Sequence, residues 1–325
     1  MHHRLSEYRS ALCKEQESGR FLGEILSNTP FRCLFSFRIE GIADLLVVTA
    51  DIPSFVHALH LAACTGVPYA VLGGGSNLLP PDGGYHGVLI STKYLNRISV
   101  CGEKFKAECG TDLNRLILTA RDRSRGGLAP LYGIPASVGG AVYMNAGAHA
   151  TSGADRFCGA LLFDPLRGEK HFFEKEDMAF SYRSSILQRE KQLVLLYAVF
   201  SFHEEERTRI SASIASVLEK RRKTQPLSLP SAGSAFRRPR EGIEVWRLID
   251  ACGLRGFSVG GAQISEKHAG FIVNRGGARS EDVCALIALA RARVRERFDI
   301  SLTPEIEFLR SEGGSVDFDT LCSQA

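Results

Sequence analysis

The segment from Gly133 to Ala148 consists mostly of residues with small side chains or none. Such a run does not fill a hydrophobic core, because close packing of an interior requires side-chain volume. Glycine lacks a Cβ atom and allows positive φ, so this backbone can approach another body closely. A second small-residue loop lies upstream, Gly73-Gly74-Gly75-Ser76-Asn77. Either loop alone is typical of a tight turn, but the pair favours a long ligand held by main-chain amides and by the Ser76 and Asn77 side chains.

The composition is that of an ordinary globular protein with room for two or three domains. The chain has 325 residues, of which 44% are hydrophobic and 23% charged. Its net charge of +4 gives no reason to expect a nucleic-acid partner. Local basic pairs such as Arg237-Arg238 are typical of solvated loops, but they can also hold a phosphate-bearing ligand.

The cysteines predict a reducing compartment. The nine cysteines are scattered, odd in number and never spaced as C-x-x-C, so we expect free thiols and a cytoplasmic location. No signal peptide and no membrane span of ~18 apolar residues is expected. His57, His60 and Cys64 are spaced as on one helix face, but no further ligand lies nearby, so we predict no metal site.

The pattern of apolar residues predicts an α+β protein. Asp51 is predicted to cap a helix that ends at Gly66, and Thr111 or Asp112 to cap another. A third helix is predicted to start at Ser280. A late strand from Pro304 to Leu309 is expected to place Ile306 and Phe308 on one face and Glu305 and Glu307 on the other. The predicted divisions are a lead-in over 1–27, regions 28–90, 91–203 and 204–310, and a frayed polar tail over 311–325.

Three residues have side chains suited to catalysis. Arg183 offers a planar fork for a carboxylate or phosphate, Ser234 lies on a glycine turn, and Glu305 lies on the late strand. Each alone is more typical of a surface or turn residue. The loop at Gly73 lacks the Rossmann spacing and a P-loop lysine, and the turn at Ser234 is not a hydrolase elbow.

Eight short motifs, taken in order, resemble those of the UDP-N-acetylenolpyruvoylglucosamine reductase family. The resemblance runs from about Asn28 to Leu309, and the order of the motifs makes it specific. The motifs are Gly73-Gly74-Gly75-Ser76-Asn77, Gly133-Ile134-Pro135-Ala136-Ser137-Val138-Gly139-Gly140-Ala141, Asn145-Ala146-Gly147-Ala148, Tyr182-Arg183-Ser184-Ser185, Ser231-Ala232-Gly233-Ser234-Ala235-Phe236, Gly260-Gly261-Ala262, His268-Ala269-Gly270-Phe271 and Pro304-Glu305-Ile306.

The resemblance implies an FAD-binding fold of the vanillyl-alcohol-oxidase (PCMH) type. FAD would lie across two α+β subdomains, 28–90 and 91–203, with a substrate-binding domain over 204–310. It implies that NADPH reduces the flavin and that the flavin then passes hydride to the enolpyruvyl ether of a UDP-amino sugar. The implied cofactor-binding residues are Gly73, Gly74, Gly75, Ser76, Asn77, Gly133, Ile134, Pro135, Ser137, Gly139, Gly140, Asn145, Ala146 and Gly147.

The resemblance also implies roles for individual side chains. Ser234 matches the proton donor of the family, and Arg183 and Glu305 match the pair that polarises the substrate carboxylate. No insertion separates Phe202 from the following helix, so the chain resembles the shorter type of the family, which lacks a tyrosine-bearing loop. The substrate-binding candidates are Tyr182, Arg237, Arg238 and His268.

Two other functions stay open at this point. The first is an FAD-dependent oxidase of the same fold, although the histidine loop that often tethers FAD in such enzymes is off pattern at Gly83-Gly84-Tyr85-His86. The second is a non-catalytic protein that binds a nucleotide sugar. A colourless protein without turnover is expected only for the second.

Overall fold

The computed structural model describes residues 2–323, and within this range helices and strands are interspersed along the chain, as an α+β fold requires. The helices are α1 (His2–Glu17), α2 (Ile52–Thr65), α3 (Leu113–Arg121), α4 (Val138–Tyr143), α5 (Ile186–Arg189), α6 (Arg207–Thr224), α7 (Val245–Ala251), α8 (Ser280–Phe298) and α9 (Phe318–Ser323). Short 3-10 turns span Phe31–Cys33, Ala129–Leu131 and Gly153–Asp155.

Over the described range, the strands form six sheets. They are β1 (Gly23–Pro30), β2 (Ile42–Thr49), β3 (Tyr69–Leu72), β4 (Leu78–Leu79), β5 (Tyr85–Ser91), β6 (Ile98–Cys101), β7 (Lys104–Glu108), β8 (Arg125–Gly126), β9 (Gly147–Ala148), β10 (Thr151–Ser152), β11 (Phe157–Asp164), β12 (Glu169–Glu174), β13 (Val194–Ser201), β14 (His203–Glu204), β15 (Ser231–Ser234), β16 (Ser258–Val259), β17 (Ala262–Ile264), β18 (Phe271–Asn274), β19 (Glu307–Leu309) and β20 (Ser315–Val316).

The first sheet delivers the chain into the upstream glycine loop. Its strand order is β1-β2-β5-β3, and β3 pairs in parallel with β5, with Tyr69 opposite Val88. Helix α2 makes the connection between β2 and β3. The Asp51 carboxylate accepts a hydrogen bond of 2.9 Å from the Ser54 amide, and Gly66 ends the helix at φ +64°. Both predicted caps of α2 are therefore confirmed. The sequence could predict them because capping depends on residues within a few positions of the helix end.

The chain divides into two compact units, each built from three separate segments. Unit 1 contains the residues up to Leu26, Leu46–Gly74 and Val88–Lys220, and unit 2 contains Ser27–Leu45, Gly75–Gly87 and the residues from Arg221 onward. The domain boundaries predicted from the sequence stay a prediction.

Unit 1 is centred on a five-stranded antiparallel sheet in the order β12-β11-β13-β7-β6. Helix α4, inside the small-residue segment, packs against β13 and β7. Aromatic side chains pack on this sheet, and the rings of Phe105 and Phe202 meet edge to face at 4.9 Å between centroids.

The Asp112 carboxylate caps α3 by accepting a hydrogen bond from the Arg115 amide at 2.9 Å. Of the two predicted caps, Asp112 is thus the one used.

Unit 2 is organised around the sheet β15-β18-β17-β16, on which helix α8 packs. The predicted start of α8 at Ser280 is confirmed. The carboxylate of Asp82, far away in sequence, accepts from the Ser280 amide at 2.6 Å and from the Glu281 amide at 3.0 Å. Asn274 donates its side-chain amide to the Phe37 carbonyl at 3.0 Å. These contacts tie segments that the sequence keeps more than 190 residues apart.

The C-terminal part of the chain differs from the sequence prediction in two respects. The late strand covers only Glu307–Leu309 instead of the predicted Pro304–Leu309, and Glu307 within it is buried. Strands β4 and β20 flank β19 on both edges, and Glu307 accepts from the Ser315 hydroxyl at 3.1 Å. The prediction of a frayed tail is wrong for residues 311–323, since β20 and α9 form there and the ring of Phe318 lies 5.5 Å from that of Phe308; residues 324 and 325 lie outside the described range.

All nine cysteines are free thiols. In the part of the chain that the structure describes, no helix combines the length and the apolar character needed to cross a lipid bilayer.

Candidate active site

Hydrogen bonds from its backbone amides hold the small-residue segment in place. Ser137 caps α4, because its hydroxyl accepts from the Gly140 amide at 3.2 Å. The amides of Val138 and Gly139 donate to the carbonyls of Thr111 and Cys109, both at 2.7 Å. A Cβ on Gly139 would lie only 3.0 Å from that Cys109 oxygen. The glycine is therefore required for the close approach of α4 to the end of β7.

Further amides of the segment are also used inside the chain. The Gly133 amide donates to Asn114 Oδ1 at 2.6 Å, and Asn114 Nδ2 donates to the Ile134 carbonyl at 3.2 Å. The Ala146 amide donates to the Ala141 carbonyl at 2.8 Å. In this segment the main chain thus holds its own conformation, and its small residues offer a ligand space rather than hydrogen-bond donors.

The start of the upstream loop lies directly against this segment. A Cβ on Gly73 would come within 2.5 Å of the Ser137 hydroxyl oxygen. Both residues belong to unit 1, so the structure brings together the beginnings of two motifs that lie more than 60 positions apart.

Gly75 is the position in the upstream loop where a side chain is excluded most strongly. Its φ is +60°, and a Cβ there would lie 2.0 Å from the Leu34 carbonyl oxygen. We expect Gly75→Ala to destabilise the protein by on the order of 2–4 kcal/mol, because both the left-handed backbone and the contact with a main-chain oxygen oppose a side chain.

The measurement for Gly75→Ala is a thermal melt, with Gly83→Ala as the matched control. A Cβ on Gly83, in the same unit, would meet no atom within 4 Å. The control is expected to change stability by no more than about 0.5 kcal/mol. Equal melting temperatures for the two variants would contradict the packing described for Gly75.

Tyr182 and Arg183 form the tip of a tight turn in unit 1. Ser181 and Ser184 exchange backbone hydrogen bonds of 3.1 and 3.2 Å, and Arg183 adopts φ +55°. The guanidinium Nη2 of Arg183 donates to the Gly147 carbonyl at 3.0 Å. The Tyr182 ring is 55% exposed, and the Arg183 guanidinium carbon lies 5.4 Å from its centroid. The arginine is therefore attached to the end of the small-residue segment.

Ser234 and Glu305 lie on neighbouring segments of unit 2. The amide of Glu305 donates to the Ala235 carbonyl at 2.9 Å, and Phe236 and Pro304 form a β-bridge. The Ser234 hydroxyl donates to the Phe236 carbonyl at 3.1 Å. A serine and a carboxyl group that are 71 positions apart in the sequence are thereby held on paired backbones.

Asn77 forms hydrogen bonds with the backbone of Glu305 and Glu307. Its side-chain Nδ2 donates to the Glu305 carbonyl at 3.1 Å, and its own carbonyl accepts from the Glu307 amide at 3.0 Å. The last residue of the upstream loop therefore contacts the segment that carries the predicted catalytic carboxyl group.

Two protein-family models match the chain. The FAD binding domain matches residues 43–169, and the C-terminal domain of UDP-N-acetylenolpyruvoylglucosamine reductase matches residues 225–309. The UDP-N-acetylenolpyruvoylglucosamine reductase of Thermotoga maritima is 42% identical over 276 residues, which cover 85% of this chain and 95% of the relative. This chain belongs to the UDP-N-acetylenolpyruvoylglucosamine reductase family. The Bacillus licheniformis reductase is 39% identical over 290 residues, covering 89% and 95% of the two chains.

A solved structure supports the same assignment for this reductase. The crystal structure of the reductase from Thermus caldophilus superposes with a TM-score of 0.74 and 33% sequence identity, covering 89% of this chain and 99% of that one. The α+β, PCMH-type FAD-binding fold predicted from the sequence is confirmed, and the reductase is a flavin-dependent oxidoreductase.

FAD is the cofactor of the reductase, and the loops described above fit such a group. Gly74, Pro135 and Gly140 are exposed, and a Cβ on Gly140 would contact only the Ser137 hydroxyl, at 3.5 Å. Within residues 2–323, no carbonyl of the chain accepts from the amides of Gly74, Gly75 or Ser76. The upstream loop therefore has amide donors available to a ligand, and the surface of α4 at Gly140 is open.

The other predicted substrate-binding residues of the reductase lie in unit 2 and differ in their surroundings. Arg237 is half-buried, with its Nε shielded from solvent and without a hydrogen-bond acceptor among the described residues. Arg238 is exposed, with its guanidinium 3.8 Å from Glu244. The Nδ1 of His268 accepts from the Gly270 amide at 3.2 Å, so the neutral ring carries its proton on Nε2. Burial lowers the pKa of His268 below its ordinary value and favours this neutral form.

His60 and Cys64 of α2 have protein partners of their own. His60 Nδ1 lies 2.8 Å from the Pro165 carbonyl oxygen, and Cys64 Sγ lies 3.5 Å from His60 Nε2. Across the described range, the structure contains no group of three or more histidine, cysteine or acidic side chains able to hold a metal ion.

Sequence reasoning missed two residues of this site. Asn114 fixes Gly133 and Ile134, and Gln188 contacts the turn of Arg183. Asn114 carries a weak signal, since an amide in the first turn of α3 competes for backbone hydrogen bonds. Gln188 carries none, because a glutamine on a short helix is an ordinary surface residue.

Proposed function

We propose that the reductase converts the enolpyruvyl ether of UDP-N-acetylglucosamine to UDP-N-acetylmuramate, with NADPH as reductant, in cytoplasmic synthesis of peptidoglycan precursors. The observation that carries the chemistry is that the backbone directly after Ser234, at Ala235 and Phe236, pairs in unit 2 with the backbone of Glu305 and Pro304. The proposed reaction is supported for the chain as a whole by the name UDP-N-acetylenolpyruvoylglucosamine reductase, which is shared by relatives that align with 84–89% of this chain.

The cofactor would be held by the two small-residue loops. Gly73–Asn77 would supply backbone donors and the Ser76 hydroxyl, while residues 133–147 would supply a close, side-chain-free surface. When bound, FAD would supply hydride transfer between NADPH and the enolpyruvyl carbon distant from the carboxylate.

Arg183 would bind and polarise the substrate carboxylate. Hydride addition pushes negative charge toward that carboxylate, and a guanidinium already in place stabilises it without reorganisation. The bond from Arg183 Nη2 to the Gly147 carbonyl limits the positions that the guanidinium can take. Glu305 would assist as a hydrogen-bonding partner to the same developing charge.

Ser234 would deliver the proton to the carbon beside the carboxylate. A serine hydroxyl is a weak acid, so it protonates only a strongly basic, carbanion-like carbon. The hydroxyl donates its single proton to the Phe236 carbonyl, and rotation about the Cβ–Oγ bond redirects that proton. After transfer the serine oxygen regains a proton from water, so that one hydride and one proton are added per turnover.

Four further side chains would bind the rest of the substrate: Tyr182, Arg237, Arg238 and His268. Arg237 is the better of the two arginines for a diphosphate, because its Nε is already removed from water and lacks an acceptor in the described chain. The exposed Tyr182 ring would offer an aromatic face to the substrate, and the neutral His268 would donate from Nε2.

One assay tests the proposed function as a whole. Purified protein is expected to be yellow and to oxidise NADPH only when the enolpyruvyl sugar nucleotide is present. NADPH oxidation that depends on oxygen alone would indicate an oxidase of the same fold. A colourless protein that binds the sugar nucleotide without turnover would indicate a binding protein.

A further inference from the structure

We infer that Gln188 is a positioning residue that keeps Arg183 in its catalytic conformation. The inference rests on the role proposed for Arg183 and assigns to Gln188 no contact with substrate or cofactor. Gln188 lies on α5, directly after the turn that carries Tyr182 and Arg183.

The side-chain amide of Gln188 joins two pieces of backbone. Its Nε2 donates to the Arg183 carbonyl at 3.1 Å and to the Tyr143 carbonyl at 3.1 Å, and it also lies 3.3 Å from Met144 Sδ, a weaker acceptor. The amide group has two hydrogens, so each can serve one of these carbonyls. Tyr143 is the last residue of α4, and Gln188 therefore links the turn to the helix within the small-residue segment.

The backbone of Arg183 needs such a link. Its φ of +55° is a conformation that residues other than glycine adopt only when their surroundings enforce it. Asn145 contributes as well, with Nδ2 donating to the Ser181 carbonyl at 2.9 Å, and so does Ser185, whose hydroxyl donates to the Tyr143 carbonyl at 2.8 Å. Among these side chains, Gln188 is the one that holds the carbonyl of Arg183 itself.

The orientation of the guanidinium depends on this backbone. With φ at +55°, Arg183 Nη2 reaches the Gly147 carbonyl at 3.0 Å. If the Gln188 bond were lost, Arg183 could relax to negative φ, which would turn its side chain away from Gly147. Gln188 would then influence the step in which Arg183 stabilises negative charge, and leave flavin reduction by NADPH untouched.

The test uses Gln188→Met in the holoenzyme, since methionine has a similar length but no hydrogen-bond donor. Gln192→Met is the matched control, because Gln192 is exposed and donates to the Glu190 side chain at 2.7 Å. We expect Gln188→Met to slow reoxidation of the reduced flavin by the enolpyruvyl substrate by about 10- to 100-fold, as for a misplaced catalytic group. Flavin reduction by NADPH, followed by its absorbance, should remain within about twofold for both variants.

A double-mutant cycle with Arg183→Ala separates positioning from a general structural role. If Gln188 acts through Arg183, adding Gln188→Met to Arg183→Ala causes no further loss in the substrate half-reaction. Multiplying losses would overturn the inference. Gln188→Glu, which keeps the shape and replaces the donor by an acceptor, serves if the methionine variant folds poorly, and the same cycle applies to it.

The cycle also distinguishes this inference from the proposed function. An Arg183→Ala enzyme with an unimpaired substrate half-reaction would overturn the role of Arg183. An impaired Arg183→Ala enzyme together with a fully active Gln188→Met enzyme would overturn only the positioning role of Gln188.

Discussion

Replacing Ser234 by alanine is expected to lower turnover by about 10²- to 10⁴-fold, the usual contribution of a general acid, and to leave flavin reduction by NADPH nearly unchanged. The expected split follows from the chemistry, because only the second half-reaction places a proton on carbon. Stopped-flow absorbance measures each half-reaction separately. The variant should fold normally, since Ser234 is half-buried and its hydroxyl makes one hydrogen bond, to the Phe236 carbonyl two residues away.

Ser258→Ala is the matched control for this experiment. Ser258 belongs to the same unit and is exposed, with a hydroxyl 3.4 Å from a carbonyl two residues away. It should retain both half-reactions. Loss of both half-reactions in the Ser234 variant would refute the role of proton donor, since it would indicate damage to the flavin site instead.

Replacing Arg183 is expected to lower kcat by about 10²- to 10³-fold for alanine, as when one preorganised donor to a developing negative charge is removed. Arg183→Lys should fall between wild type and Arg183→Ala, because lysine keeps the charge but not the planar fork. The measurement is steady-state kinetics with the enolpyruvyl substrate, together with the NADPH half-reaction.

Arg167→Ala is the control for charge removal in unit 1. The Arg167 side chain is 75% exposed, and its Nε lies 3.8 Å from Asp164. The control should behave as wild type, because exposed ion pairs contribute little. If Arg183→Lys were as active as wild type, bidentate binding of the carboxylate by Arg183 would be ruled out.

The sequence predicted the features that depend on neighbouring residues. Asp51 and Gly66 bound α2 as predicted, because a capping carboxylate and a left-handed glycine act within a few positions of each other. The order of eight motifs likewise identified the family from residue types and spacing alone, and the matching family model and relatives confirm it.

Where the prediction was wrong, a distant segment was responsible. The late strand was predicted over Pro304–Leu309, but only Glu307–Leu309 pairs with β4 and β20. The polar tail was expected to fray, but the ring of Phe318 packs against that of Phe308. Alternation of polar and apolar residues does not reveal which distant segments will pair with a strand.

The sequence by itself determined the family, the cofactor and the small-residue loops, since all of these are written in residue types and their spacing. Only the tertiary structure decided what those residues touch. It placed Gly73 against Ser137, joined Asn77 to the backbone of Glu305, and brought Gln188 to the carbonyl of Arg183. The physical reason is that a hydrogen bond requires its two groups to lie within about 3.2 Å and in line. Whether groups far apart in the sequence meet this condition depends on how the whole chain packs.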